Sequence, residues 1–436
     1  MIDKLQISGY RLLHEFPADL GQLTVVIGAN ATGKSTLIDA LRLICECAEF
    51  PLEKALTQHG WAPSLLNASS QAQRIAWELT FRRPKENRWA LLPLDESDSY
   101  TYDVSIGVDR QLGHVFPERE VLRLTHPRKG FAGPFKFFDT QGERAFLFDP
   151  RQRKLVPFED IFPKQEEEGR VAAKSESTGG GEARGGPPEV PVQERTLRLA
   201  QMRFHKEFPV VSWIRTLLAS MAFYPGFDVG RFSALRMKAA EIRPETTLWA
   251  TGENLGTVLH EMLTRHDHRP SAELLRDFMK VAYPSFEEIS AETAFGTPPS
   301  VLVRVREAGM QRPMELWDLS DGMLRFLCLG AALLNPLPPP FVAIDEPEAG
   351  LHPRLLPIIA DIIKTASEKT QVLITTHSPD LLSQFDLGDV AVMSREGPHA
   401  VWRRPGSRTS LRKMLESVAG ETLGDLHRTG ELEALE

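Results

Sequence analysis

The amino-terminal part of the chain shows a strand, a glycine-bounded loop and a helix in close succession. Leu23–Ile27 (LTVVI) is a continuous apolar run rich in β-branched residues, and a glycine follows it. Such a run is typical of a central strand that is buried on both faces of a sheet. Beyond the loop, Leu37, Leu41 and Ile44 recur at the spacing of one helix face. The pattern therefore predicts a buried strand that leads through the loop into a helix.

Between about residues 75 and 158 the pattern changes to short alternating runs. RIAWELTFRR, RWALLPL, YTYDVSIGV and RAFLFD are separated by Pro, Gly, Asp and Asn. Alternation with a period of two, interrupted by turn-forming residues, predicts antiparallel strands. Further on, the pattern predicts helices over about 197–221 and 254–279, and a strand at SVLVRVRE.

The last third of the chain predicts a turn, a helix, a strand, a helix and a strand. The segments are LSDGMLRFLCLGAALL, FVAID, LLPIIADIIKTASE and QVLITTH. The two apolar runs end at Asp345 and His377, and in a parallel sheet such strand ends face the ligand crevice. Together with the amino-terminal strand, these segments predict an α/β fold with an added antiparallel sheet.

A polar insertion interrupts the chain. Residues 165–196 contain no Phe, Trp, Tyr, Leu or Ile and include EEE, STGGG and GGPPEVP. Such a segment cannot bury enough apolar surface to offset its ordering entropy, so we expect a flexible loop. The predicted division is an amino-terminal lobe (1–163), the flexible insertion (164–196), a connecting region of helices and a strand (197–316) and a carboxyl-terminal lobe (317–436).

Composition narrows the class of protein. The chain has 436 residues, of which 42% are hydrophobic and 25% charged, as in ordinary soluble proteins. The net charge of -8 argues against a surface coated in basic charge for nucleic acid. Three cysteines, Cys45, Cys47 and Cys328, are interpreted as core thiols in a reducing compartment. No apolar run reaches the roughly 18 residues of a membrane span, and the amino terminus lacks an apolar signal-peptide core. We expect a cytoplasmic protein.

The loop GANATGKST fits the pattern G-x-x-x-x-G-K-[ST]. Glycines let backbone N–H groups turn inward around phosphate oxygens, and the following helix adds its positive end. The pattern assigns Lys34 to the β- and γ-phosphates of ATP and the Ser35 hydroxyl to Mg²⁺. The residues expected to contact ATP are Asn30, Ala31, Thr32, Gly33, Lys34, Ser35 and Thr36.

The second chemical motif is the acidic pair in FVAIDEPEAGLHP. We expect Asp345, at the strand end, to hold the Mg²⁺ shell, and Glu346 to polarise the attacking water. Phosphoryl transfer needs positioning and charge neutralisation more than covalent chemistry, and two such carboxylates supply both. His377, at the end of QVLITTH, is expected to contact the γ-phosphate or the attacking water. Glu346 and His377 are the predicted catalytic residues.

The order of these motifs resembles the ABC-type ATPases, and within them the SMC/RecF-like and OLD-like branch. Asn30 is typical of that branch, and LSDGM looks like its signature motif, with Asp321 where transporters usually have glycine. IDEPEAGLHP looks like its acidic motif, with His352 where transporters usually have aspartate, and TTHSP looks like its switch histidine. WATGENLGTVL and LGDLHRTGELEAL resemble a group of prokaryotic AAA-type predicted ATPases, some of which serve in antiphage systems or next to nucleases.

The resemblance implies a P-loop NTPase fold of the ABC/SMC-head type and a site shared between subunits. Ser320 and the Gly322 backbone would cap the γ-phosphate held by the other subunit of an ATP-dependent, head-to-tail homodimer. It further implies a role in DNA maintenance or antiphage defence, with a separate effector such as a nuclease as partner and no membrane. We find no glutamine that matches the family's Q-loop, no long coiled coil and no Toprim-like tail.

Two other functions and the question of DNA contact stay open at this stage. The chain could be the nucleotide-binding subunit of a membrane transporter, against which the long insertion and EPEAGLHP count, or a slow ATP switch without a nucleic-acid role. Two basic clusters could meet phosphates or form a solvated charged surface. They are Arg403, Arg404, Arg408, Arg412 and Lys413, next to Trp402, and Arg82, Arg83, Lys85 and Arg88.

Overall fold

The computed structural model describes residues 1–69, 71, 73–83, 99–141, 144–161, 195–202, 207–237, 240–294, 300–405 and 422–432. The strand predicted at RWALLPL and nearly all of the predicted insertion lie outside these ranges.

The elements are numbered here in chain order. The strands are β1 (Ile2–Ser8), β2 (Phe16–Asp19), β3 (Leu23–Ile27), β4 (Arg74–Arg82), β5 (Ser99–Val108), β6 (Val115–Leu124), β7 (Lys136–Gln141), β8 (Arg144–Asp149), β9 (Lys154–Pro157), β10 (Ala222–Tyr224), β11 (Ala240–Glu241), β12 (Phe286–Ala294), β13 (Ser300–Glu307), β14 (Met314–Glu315), β15 (Phe341–Asp345), β16 (Gln371–Thr375), β17 (Val390–Glu396) and β18 (His399–Arg403). The helices are α1 (Lys34–Cys47), α2 (Leu52–His59), α3 (Ala62–Leu65), α4 (Phe158–Ile161), α5 (Arg198–Gln201), α6 (Pro209–Ala219), α7 (Ala234–Met237), α8 (Leu255–Thr264), α9 (Arg269–Ala282), α10 (Asp321–Leu333), α11 (Leu356–Ser367), α12 (Pro379–Leu382) and α13 (Leu423–Thr429).

The alternating runs form an antiparallel sheet, as predicted. Within the described residues it has eight strands in the order β2-β1-β4-β5-β6-β7-β8-β9. Burial alternates along β4, whose Trp77, Leu79 and Phe81 point into the core, because successive side chains of a strand face opposite sides. The Trp77 indole N–H donates to the carbonyl oxygen of Ala40 at 3.1 Å. This bond ties the antiparallel sheet directly to α1.

The strand before the glycine loop lies in a second sheet, among strands from the far end of the chain. The described order is β10-β15-β16-β3-β17-β18. The pairs from β10 to β17 are parallel, and β18 is antiparallel to β17. Every residue of β3 and β16 is buried. The predicted α/β fold is therefore confirmed, and the carboxyl ends of β3, β15 and β16 meet at one edge.

Two hydrophobic cores lie on opposite faces of this parallel sheet. Val26, Ala343 and Leu373 pack into the core shared with the antiparallel sheet, and the residues next to them pack into the other core, with α8 to α11. The period of two within each strand produces this division. The lobe boundaries drawn from the sequence stay predictions.

A small third sheet completes the described part of the chain. β13 pairs with β11, β12 and β14, and α8 and α9 contact β12. The predicted strand SVLVRVRE is β13, and the helix predicted over about 254–279 is α8 and α9, with a short 3₁₀ turn at His266–His268 between them. All three cysteines are buried and free, which confirms them as core thiols.

Candidate ATP site

The loop after β3 adopts a backbone conformation that favours glycine at two positions. Gly28 has φ 150° and Gly33 has φ 105°, in the region that favours glycine. A Cβ on Gly28 would overlap the carbonyl oxygen of Met393 in β17. Gly33 is the residue directly before α1. The glycine spacing of the motif thus serves a close approach to β17 and a sharp entry into the helix.

Lys34 lies inside this loop. Its side chain is buried, and its Nζ donates to the carbonyl oxygens of Gly28 at 2.8 Å and Ala29 at 3.0 Å. The Thr32 hydroxyl donates to the same Ala29 oxygen at 2.9 Å. Among the other residues predicted to contact ATP, Asn30, Ala31 and Ser35 are exposed and Thr36 is half-buried. The loop therefore encloses one cation and presents a hydroxyl at the first turn of α1.

The acidic pair lies at the same edge of the sheet. Asp345 ends β15 and is in register with Thr375, the last residue of β16. The Thr375 hydroxyl donates to Asp345 Oδ1 and accepts the backbone N–H of Glu346 at 3.1 Å. One threonine thus fixes both members of the pair.

Glu346 leaves the strand with an unusual backbone. Its φ is 48°, in the left-handed region, which costs on the order of 1–3 kcal/mol for a residue with a side chain. The carboxylate is exposed, whereas the aspartate before it is half-buried. The turn directs the two carboxylates differently. Backbone strain of this kind is typical of residues at functional sites.

His377 lies beside Glu346. Its Nε2 is 3.7 Å from Glu346 Oε1. Burial and the Lys34 ammonium lower the pKa of His377, and Glu346 and Glu348 only partly oppose that shift. The imidazole is therefore neutral at neutral pH. Because β3, β15 and β16 are parallel neighbours, the phosphate loop and the ends of β15 and β16 lie at the same edge of the sheet.

The sequence analysis missed Glu348. Its Oε1 accepts the Thr376 hydroxyl at 2.6 Å and the backbone N–H of His377 at 3.0 Å. The glutamate therefore fixes the turn from which His377 projects. A second acid, two residues after Glu346, was the available signal, but only the tertiary contact gives it a role.

A cavity of about 190 Å³ opens beside the acidic pair. Asp345 and Glu346 line one side, and Tyr224 and Phe227, which end and follow β10, line another. β10 is the neighbour of β15 in the parallel sheet, so the segment after it borders the acidic pair. Residues 225–233 (PGFDVGRFS) contain no glutamine.

The signature turn, which contains LSDGM (residues 319–323), has surroundings different from those of the acidic pair. Ser320 is the N-cap of α10, and its Oγ accepts the backbone N–H of Met323 at 3.2 Å, which confirms the predicted turn and helix. In the described part of the chain, the hydrogen bonds of Ser320 stay within its own helix. A Cβ on Gly322 would lie 3.8 Å from the carbonyl oxygen of Gly350. The structure thus places Ser320 and Gly322 together, without bonding them to the phosphate loop of the same chain.

Several residues of the two basic clusters form hydrogen bonds or ion pairs within the chain. The Trp402 indole donates to Asp19 at 3.0 Å, and Arg404, which is largely buried, donates to the Asp19 carbonyl oxygen at 2.9 Å. Arg403 pairs with Glu396 at 2.7 Å. In the other cluster, Arg82 pairs with Asp3 at 2.7 Å. Lys85, Arg88, Arg408, Arg412 and Lys413 lie outside the described residues.

Two family models match parts of the chain. Residues 1–90 match the model described as "AAA ATPase domain". Residues 254–383 match the model described as "AAA domain, putative AbiEii toxin, Type IV TA system". A search of curated proteins gave no match.

The solved structures that match include SMC head domains. One is the SMC head bound to the C-terminal winged-helix domain of ScpA, with a TM-score of 0.51 and 14% identity over 93% of this chain and 99% of that chain. Another is the SMC head with an extended coiled coil bound to the C-terminal domain of ScpA, from Pyrococcus furiosus, with a TM-score of 0.52 and 12% identity over 95% and 99%. The chain is an ATPase with the fold of an SMC head, and two of its segments match AAA-type ATPase models. Among the described residues of this ATPase, no helix is long and apolar enough to cross a membrane.

Proposed function

We propose that this ATPase works as a homodimer closed head-to-tail around two ATP molecules. Each site would take its phosphate loop, Asp345 and Glu346 from one subunit and its signature turn from the other. The main support for this proposal is that the motifs fall into two separate groups. The strand-end residues meet in one crevice, whereas the exposed Ser320 caps α10 with its face turned to solvent. A helix N-terminus with free backbone N–H groups suits a phosphate supplied by a second chain.

The roles of the crevice residues follow from their placement. Lys34 would exchange its bonds to the loop carbonyls for bonds to the β- and γ-phosphates. Asn30 to Thr36 would surround those phosphates with backbone N–H groups and hydroxyls. Glu346 would orient and polarise the attacking water as general base. The neutral His377, 3.7 Å away, would bond to that water or to the γ-phosphate.

The residues present also fit Mg²⁺. This ion prefers oxygen ligands and uses one or two carboxylates together with substrate phosphates. The exposed Ser35 hydroxyl and the Asp345 carboxylate, oriented by Thr375, would supply the protein ligands. When bound, the ion would neutralise charge on the phosphates.

The biological setting we propose is DNA maintenance or antiphage defence, with the ATPase gating a separate effector such as a nuclease. The family model over residues 254–383 supports this, because its description names a toxin of a toxin–antitoxin system. A protein partner is further supported by two solved SMC heads of this fold, which are bound to domains of ScpA. Because Asp345 and Glu346 are committed to ATP in this proposal, we expect the purified chain to hydrolyse ATP without nicking a plasmid. Nicking that persists in a highly purified chain would argue against a separate nuclease.

A mixing experiment tests the shared site. Lys34→Ala and Ser320→Arg should each be inactive alone. In the mixed dimer, one composite site carries both defects and the other carries neither, so about half of the activity per mixed dimer should return. Mixed dimers isolated with two affinity tags that remain inactive would contradict the head-to-tail arrangement. A self-mixture of each variant is the matched control.

A further inference from the structure

A buried arginine far away in sequence holds the signature turn. Arg236 lies in α7, and its side chain is 7% exposed. The guanidinium donates to the carbonyl oxygens of Val229 (2.9 Å), Leu316 (3.3 Å), Trp317 (3.2 Å) and Leu319 (2.7 Å), and to Asp321 Oδ1 (2.5 Å). Three of these four carbonyls belong to the residues directly before Ser320. One planar side chain thus fixes the backbone before the signature serine and the side chain of the aspartate after it.

Besides the arginine, Asp318 holds the turn, because its carboxylate accepts the Arg312 guanidinium at 2.8 Å and the backbone N–H of Glu315 at 3.1 Å. Trp317 and Ser320 are exposed, and only Leu319 among residues 317–320 is buried. Lysine could not replace the arginine, because a single ammonium cannot span several carbonyls and a carboxylate at once. The conformation of the turn therefore depends on a residue 85 positions upstream of Asp321.

Arg236 also explains why an aspartate at position 321 is compatible with the function of the signature motif. Asp321 is next to Ser320 and its side chain is 67% exposed. In the proposed dimer this face meets the γ-phosphate of the opposite subunit's ATP. A bare carboxylate there would repel the phosphate, since like charges at short range oppose each other. The guanidinium bonded to Asp321 cancels that charge.

We propose that Arg236 is a positioning residue of the composite ATP site. It holds Ser320 and the Gly322 backbone in the orientation that receives ATP from the opposite subunit, and it neutralises Asp321. This inference rests on the proposed head-to-tail dimer. It assigns Arg236 to the signature side of the site and gives it no part in ATP binding by its own subunit.

The first experiment separates binding from closure. In a Glu346→Gln background, which should trap the closed state, Arg236→Met should reduce ATP-dependent dimerisation about tenfold or more, since it removes charge-assisted hydrogen bonds. ATP affinity of the dilute monomer should stay within about twofold. Adding Asp321→Asn to Arg236→Met should restore part of the dimer, because the uncompensated charge is gone. Arg236→Lys should fall between Arg236→Met and the parent.

Arg404→Met is the matched control. Arg404 is also largely buried and bonds to main-chain oxygens, those of Asp19 and Gly388. These partners lie away from the carboxyl end of β3. Its replacement should lower the melting temperature without weakening ATP-dependent dimerisation. Equal loss of the dimer in both arginine variants would reduce the role of Arg236 to general stability and overturn the inference.

Complementation gives a second, independent readout. Mixed with Lys34→Ala, Arg236→Met should recover activity, because both defects then fall in one composite site. Mixed with Ser320→Arg it should not, because each site then carries a signature-side defect. The opposite pattern would assign Arg236 to the phosphate-loop side and refute the inference. If Lys34→Ala and Ser320→Arg themselves fail to complement, the proposed dimer fails instead, so the two failures are distinguishable.

Discussion

The two sides of the candidate ATP site are built in different ways. On the phosphate-loop side, Asp345 ends a buried strand of one parallel sheet, and Lys34 and His377 lie in the segments that leave two neighbouring strands. On the signature side, Ser320 stands in an exposed turn, held by Arg236 from another part of the chain. One side takes its geometry from the backbone ladder of a sheet, and the other from side-chain hydrogen bonds, those of Arg236 foremost.

This difference indicates which parts of the site the fold holds rigidly. Strand ends in a parallel sheet are fixed by hydrogen bonds on both sides, and their neighbours by burial in two cores. A surface turn has few such constraints, so a few bonds decide its shape. We expect changes on the phosphate-loop side to affect ATP binding, turnover or the fold, and changes on the signature side to affect closure.

The largest expected effect on nucleotide binding comes from the phosphate loop. Lys34→Ala removes the cation inside the loop and should weaken ATP binding about a hundredfold, the worth of one or two charge-assisted hydrogen bonds. Ser320→Arg should leave the ATP affinity of the monomer unchanged. Isothermal titration at protein concentrations that keep both variants monomeric measures this. Equal losses of ATP affinity in the two variants would contradict the distinction between the two sides of the site.

Glu346→Gln should abolish turnover but keep binding. Loss of a general base typically costs about 10²–10⁴-fold in rate, while Asp345 and Lys34 remain in place. The variant should elute as a dimer with ATP in size exclusion and as a monomer without it. Asp361→Asn, an exposed acid in α11, is the control. Hydrolysis by Glu346→Gln at the wild-type rate would remove Glu346 from the mechanism.

A pair of glycine substitutions contrasts the two sides directly. Gly28→Ala places a Cβ onto the Met393 carbonyl at φ 150° and should destabilise the fold by about 3 kcal/mol, as overpacking does. Gly322→Ala meets its nearest atom at 3.8 Å, so its melting temperature should not fall. It should instead weaken ATP-dependent dimerisation, because the methyl group would occupy the closing face. Thermal unfolding and size exclusion read the two effects separately.

The smallest effect concerns how α1, which follows the phosphate loop, is held. His59 lies between two acids of α1, with Nδ1 2.6 Å from Asp39 and Nε2 3.0 Å from Glu46. Burial alone would lower the pKa of His59, but the bonds to both carboxylates outweigh it and the pKa is raised. The pKa values of Asp39 and Glu46 are lowered. At moderately acid pH all three groups are therefore charged and paired.

The stability from this arrangement should depend on pH. Since the folded pKa of His59 is raised, its contribution is complete below the unfolded value of about 6.5 and is lost as pH rises through the folded value. The melting temperature of His59→Gln should thus fall furthest below wild type between about pH 5 and 6.5, with the gap narrowing in alkali. The exposed His266→Gln is the control. A gap that widens with rising pH would show that His59 is neutral in the fold.

Much of the phosphate-loop side could be predicted because its signals are local. An apolar run followed by GANATGKST, or by Asp-Glu, places its polar residues at a strand end, whatever the distant chain does. The alternation in RIAWELTFRR likewise predicted β4. Glu348 and Arg236 could not be predicted, because an acid in a loop or an arginine in a short helix has no local pattern that names its partner.

The sequence by itself determined the phosphate loop, the acidic pair, and the strand and helix types of the long periodic segments. Each of these depends on spacing within a few residues. The tertiary structure decided the rest. It joined β3 to strands more than 300 residues later in one sheet, set His377 beside Glu346, and gave the aspartate of the signature turn its arginine. Those pairings depend on long-range packing and register, which no short stretch of sequence specifies.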